Sequence, residues 1–175
     1  MSVVKDTIRE FTEYVEETDR LNGTTSEERV EETADDVDDE ESRDSQDKPY
    51  SIEEAETCRR CLEVVRLAGE ALRLGLRLAT EAMDASLTRD PDTASPASSW
   101  MADLHRSCGG IAEGVVDLSS ELFVPFDEEV IGAKHASLKA AIAELLRLLG
   151  QQAYATSDIE ELSALLSSIS TCALR

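Results

Sequence analysis

Aromatic side chains make up only 4% of these 175 residues. Strands draw on rings and β-branched residues, so a core supplied by Leu, Ala, Val and Ile favours helices over a β-sandwich. Positive charge is short as well: 17 Lys and Arg stand against 38 Asp and Glu, for a net charge of -21. Such a surface repels polyanions, which argues against direct DNA or RNA binding. It suits a protein partner with a basic face, or simply keeps the chain in solution. Long apolar runs are missing too. The longest uncharged stretch is the 13 residues 162–174, too short and too rich in serine to span a bilayer, so no membrane partner is expected. The opening Met-Ser-Val-Val-Lys-Asp holds no apolar run of the secretory kind. Cysteines number four, and Cys58, Cys61, Cys108 and Cys172 all fall inside helical patterns. They read as reduced, small core residues of a soluble intracellular protein.

The length fits one domain, 1–175, able to bury a core without disulfide staples. The chain is organised around residues 51–89. Ser51-Ile52-Glu53-Glu54 is a capping box that satisfies the orphan N–H groups of a helix start. Small or apolar residues then recur at Cys61, Val65, Ala68, Leu72, Gly75, Leu76, Ala79 and Met83, in steps of three and four. A second row, Leu67, Ala71, Leu74, Leu78 and Ala82, widens the apolar surface, so this long central helix needs several neighbours.

Those neighbours are legible. Val4, Ile8, Phe11 and Val15 mark a first helix that stops at Asn22-Gly23. Residues 23–49 carry twelve acidic and three basic residues with few large apolar ones, the composition of a disordered acidic insert. Within it, Thr25 and Thr33 precede acidic residues in the manner of sites for an acid-seeking kinase. Ser95-Pro96 opens a third helix with its stripe at Ala97, Met101, Leu104, Cys108, Ile111, Val115, Leu118 and Leu122. Gly109-Gly110 interrupts that stripe and is expected to let a neighbour pack closely. Asp127 caps a fourth helix with its stripe at Ile131, His135, Leu138, Ile142, Leu145 and Leu149. Ser157-x-x-Glu160 is a second capping box, opening a last helix that carries Ile159, Leu162, Leu166, Ile169 and Ala173, flanked by Leu165 and Cys172. The expected fold is all-α, an antiparallel bundle of about five helices.

Chemistry-bearing residues are few. Cys58-x-x-Cys61 and His105-x-x-Cys108 resemble a zinc ligand set. If the second and third helices form an antiparallel hairpin, however, the two pairs stand roughly 25–30 Å apart at 1.5 Å per residue. No metal and no cofactor is expected. His135 reads as an interior histidine, and no Ser or Cys has a visible base and orienting partner. Enzymatic activity is not expected. Arg59, Arg66, Arg73 and Arg77 form a basic ridge on the long helix. It is either a solvated face paired with Glu63 and Glu70 or a contact for an acidic partner. A helix apolar over so wide an arc also predicts self-association if its neighbours fail to cover it.

Several stretches resemble the cyclin-D-binding protein family. Tyr14-Val15-Glu16-Glu17-Thr18-Asp19 followed by an acidic run is similar to that family's mid-chain passage. Cys61-Leu62-Glu63-Val64-Val65-Arg66 resembles the start of its next long helix. Val115-Val116-Asp117-Leu118-Ser119-Ser120-Glu121-Leu122 with Val124-Pro125 resembles the helix and proline break after that, although the family has an aromatic where Val124 stands. The pieces occur in the same order, over the second half of a family about twice as long. The resemblance implies helical bundles related to those of vinculin and catenin. It also implies a non-enzymatic regulator of cell-cycle progression or transcription, found in cytoplasm and nucleus, that binds D-type cyclins or helix-loop-helix factors. The alternative is a structural or scaffolding bundle.

Overall fold

A computed structural model of the chain describes residues 5–6, 8–9, 12–13, 16, 20, 51–87, 97–122, 126–151 and 156–172. Four helices are bounded: α1 (Ile52–Leu87), α2 (Ala97–Ser120), α3 (Glu128–Gly150) and α4 (Thr156–Thr171). The eight described residues between 5 and 20 are all helical, and Thr12 donates to the Ile8 carbonyl one turn back at 2.7 Å. The acidic insert at 23–49 lies outside the described residues. Among the described residues the fold is all-α and no strand occurs.

The helix starts follow their local chemistry. Ser51 Oγ accepts from the Glu54 N–H at 3.2 Å, while Glu54 Oε2 accepts from the Ser51 N–H at 2.7 Å, the reciprocal pair of a capping box. Asp127 accepts from the N–H groups of Glu129 and Val130, each at 3.1 Å, and Glu128 and Glu129 add charge where the helix dipole favours it. The second expected capping box does not form a boundary. Thr156 and Ser157 are already helical, and Asp158 turns to a partner on α1.

Helix α1 packs against α2, α3 and α4, and so does α3 against the other three, whereas α2 and α4 do not meet. Helices adjacent in sequence run antiparallel. Lys134 of α3 reaches Asp117 of α2 at 2.8 Å, and the Trp100 indole donates to the Leu148 carbonyl at 3.2 Å, so the start of α2 lies beside the end of α3. Cys172, just past α4, lies by His135 on α3 and by Glu63 on α1, while Arg77 on α1 meets Asp158 at the other end of α4. The pattern is up-down-up-down, with α1 and α3 as the parallel central pair. Helix α3 shares the central role that the periodicity assigns to α1 alone.

The interior follows the expected rows with instructive exceptions. Leu74, Ile111, Leu118, Ile131, Leu138, Ile142, Leu145 and Leu149 are fully buried, each contributing about 1.5–3 kcal/mol on removal from water. Leu146, Leu148 and Trp100 join them although no expected stripe contains them. On α4 the buried line is Leu162, Leu165, Ile169 and Cys172, leaving Ile159 and Leu166 outside. The expected close approach at Gly109-Gly110 is absent: a Cβ added at either would meet nothing within 4 Å. Gly114 is where α3 comes close, with Leu138 Cδ1 3.3 Å from an added Cβ, and Gly75 faces Leu104 and Leu149.

Candidate interaction surface

The basic ridge of α1 divides into two kinds of arginine. Arg59 lies 3.3 Å from Glu56, which Arg60 also holds at 3.1 Å, and these two guanidiniums, Arg60 first, pull the Glu56 carboxyl below its ordinary range. Arg77 is a structural pin. It bonds Asp158 at 2.8 Å and Glu161 at 2.9 Å across to α4, with Glu81 at 4.0 Å on its own helix. Asp158 is buried, so the pair fixes where α4 begins.

Arg66 and Arg73 differ. Arg66 makes one long hydrogen bond to Thr12 Oγ1 at 3.4 Å, and Arg73 makes no ion pair with any described residue. Both line a groove of about 280 Å³ between α1 and the N-terminal helical residues. Gly69 and Leu72 of α1 and Ile8 opposite make it apolar, and Lys5 adds a third cation against one carboxylate, Glu70. In a chain of net charge -21 this is a local reversal of sign.

The apolar line beside that groove changes character along α1. Cys58 and Leu76 are 18 residues apart, and so are Val65 and Met83. At 3.6 residues per turn this is five full turns, so each pair shares one side of the helix. Cys58 and Val65 are 1% and 2% exposed, yet Leu76 and Met83 are 58% and 54% exposed. The expectation that Leu76 and Met83 join the core is therefore corrected. The line is buried toward its N-terminal end and exposed at Leu76 and Met83. Charge could have flagged the open end: Arg73, Arg77, Glu81 and Asp84 crowd around Leu76 and Met83. Nothing local could have flagged Lys5, which reaches the groove only through tertiary packing.

The cysteines gather differently from the zinc reading. Leu104 packs at Gly75, which sets Cys108 level with about residue 71 and still roughly 15–20 Å along the axis from Cys61 and Cys58. Cys61 instead has Cys172 nearby, whose Sγ lies 3.8 Å from His135 Nε2. Burial, then the nearby Cys58 and Cys172 thiols, push the Cys61 thiol up to about 12. Burial followed by Glu63 raises Cys172, and burial alone raises half-buried Cys108. Thiols raised in this way stay protonated and are poor nucleophiles. His135 is 3% exposed, and burial followed by Lys139 pushes it down to about 4. It is a neutral interior imidazole, as its place in the α3 stripe implies. Among the described residues no group of three or more His, Cys, Asp or Glu side chains is arranged to hold a metal.

The chain matches no family model, no curated protein and no solved structure. The geometry of α1 therefore carries the functional reading. Among the described residues no helix is long and apolar enough to cross a membrane.

Proposed function

We propose that this chain is a non-enzymatic protein–protein interaction module that offers the C-terminal half of α1 to a helix of its partner. One observation carries the reading: Leu76 and Met83 are more than half exposed on the line that Cys58 and Val65 occupy in the interior, beside a groove rimmed by Lys5, Arg66 and Arg73. Large apolar side chains with a charged rim are what a helix-in-groove contact uses. The reading takes the whole chain as a five-helix bundle, with residues 23–49 as an acidic tether. The resemblance to cyclin-D-binding proteins supplies the partner class, a D-type cyclin or a helix-loop-helix factor, and the role of restraining proliferation or transcription in cytoplasm and nucleus.

A pull-down with a D-type cyclin tests the reading. Enrichment over an unrelated acidic helical protein, lost in Leu76→Ser/Met83→Ser, is the expected result. Equal capture by wild type and variant would remove α1 as the contact. A scaffolding role is the second reading, favoured by Ile159 and Leu166, which stand 55% and 41% exposed seven residues apart on α4. A bundle with two open apolar lines can join two partners, and capture unaffected by the α1 variant but lost in Leu166→Ser would favour it.

A further inference from the structure

We propose that the groove between α1 and the N-terminal helical residues takes one large apolar side chain of a partner helix, with an acidic residue on either side of it. The inference rests on the reading of the chain as an interaction module and names what the partner presents; it calls on neither Leu76 nor Met83. The lining sets the requirement. Arg66, Gly69, Glu70 and Arg73 follow one another along one side of α1. Thr12 lies at Arg66 and Lys5 shares the groove with Arg73, so the two segments run antiparallel, with Ile8 level with about Glu70. Positive charge therefore stands at both ends, Arg66 at one and Arg73 with Lys5 at the other, roughly 10 Å apart along the axis. Ile8, Gly69 and Leu72 make the middle apolar.

Size and charge together choose the occupant. A cavity of about 150 Å³ holds a benzene ring, and drug-sized ligands fill about 300–1,000 Å³. At about 280 Å³ the groove suits a single phenyl or indole anchor rather than a cofactor. Three cations against one carboxylate leave a local charge of +2 in a chain of net charge -21. Lys5 and Arg73 make no hydrogen bond or ion pair with any described residue, and Arg66 makes only its long bond to Thr12. Asp6, next to Lys5 in the chain, lies 3.9 Å from Arg9 and does not line the groove. On a helix, acidic residues three before and four after an apolar anchor share its side and stand about 10 Å apart. That spacing matches the two positive ends. A lone carboxylate on a small molecule reaches only one of them.

Glu70 sharpens the match. It stands between Arg66 and Arg73, level with the anchor rather than with the flanking carboxylates, and makes no ion pair with a described residue. It therefore disfavours a ligand whose negative charge falls in the middle. The net charge of -21 repels an acidic partner at long range, but that repulsion is screened beyond about 8 Å at physiological salt. The same repulsion keeps such a partner from settling elsewhere on the surface, so binding concentrates where the sign reverses.

The test is the anisotropy of a fluorescein-labelled peptide titrated with the full chain at about 0.15 M salt. The peptide carries one phenylalanine, with glutamate three residues before it and four after. Saturable binding is expected, weakened about tenfold or more with alanine for the phenylalanine or glutamine for both glutamates. Arg73→Glu should weaken it about tenfold and Lys5→Glu/Arg73→Glu should abolish it, whereas Glu70→Gln should tighten it about threefold. All three side chains are exposed, and circular dichroism melts of the variants should match wild type. The peptide exchanges need no change to the protein and hold whatever the variants do. Absence of saturable binding overturns the proposal, and so does binding indifferent to the phenylalanine, to the glutamates or to the Lys5/Arg73 variant. Capture of a D-type cyclin through Leu76 and Met83 without peptide binding would overturn the groove and leave the interaction reading standing. Peptide binding that obeys every exchange, without capture of a cyclin, would uphold the groove and remove the cyclin.

Discussion

Cys58 and Leu76 stand on one line of α1, five turns apart, and have opposite fates: the first is closed in the interior and the second lies open. Val65 and Met83 repeat the contrast. The difference teaches that helical period decides which residues share a side, while tertiary reach decides how much of that side is covered. A helix of 36 residues is roughly 54 Å long, and the other bounded helices, of 24, 23 and 16 residues, are shorter. The comparison can be broken most forcefully by placing the same charge at both ends. Val65→Asp buries an unpaired carboxylate and should cost about 4 kcal/mol or more, enough to unfold a domain of ordinary stability. Met83→Asp should leave the melting temperature within a few degrees. Calorimetry on the two variants checks both, and equal losses would mean that the two ends are equally closed.

The closed end also titrates. Burial and Lys139 hold His135 at about 4 against an ordinary 6.5. Cys172 faces it from the end of α4, with Cys61 and Glu63 of α1 close to that thiol. Between the two values the unfolded chain takes up a proton that the folded chain refuses, so stability falls as pH falls. The contribution is intact above 6.5 and lost progressively toward 4, reaching about 3 kcal/mol. Glu56 and Glu144, held low by Arg60 and Arg147, begin to act only below their ordinary 4.5. Urea midpoints measured from pH 7 to pH 5 isolate the imidazole, and His135→Leu should flatten that slope.

The two kinds of arginine give the next contrast. Arg77→Ala deprives buried Asp158 of its partner and should cost about 1–2 kcal/mol, read as a lower denaturant midpoint. Arg73→Ala, which breaks no ion pair with a described residue, should stay within about 0.5 kcal/mol. The smallest effects belong to α2. Gly109→Ala and Gly110→Ala place a methyl in open space on a helix and should each stabilise by up to about 1 kcal/mol. A loss at either position in thermal melts would mean that a neighbour sits there after all.

Much of this was legible in the chain because it is local. The capping box at Ser51, the Asp127 cap and the α3 stripe all form as their spacing predicts, for hydrogen bonds and helical period need no distant partner. The rows on α1 and α4 were legible only in part. Leu76, Met83, Ile159 and Leu166 have the period of core residues, but their cover depends on where other helices end. Juxtapositions were not legible at all. His135 meets Cys172 across 37 residues, and Arg77 meets Asp158 across 81. The separation of Cys58 and Cys61 from Cys108, by contrast, follows from the antiparallel register that the sequence already implied, although the gap is shorter than expected.

The single tryptophan, its indole tied to the Leu148 carbonyl where α2 begins and α3 ends, gives the molecule a built-in optical reporter of one seam only. Its emission colour will redden when that hairpin parts, so the opening of one end of the bundle can be followed without any added label.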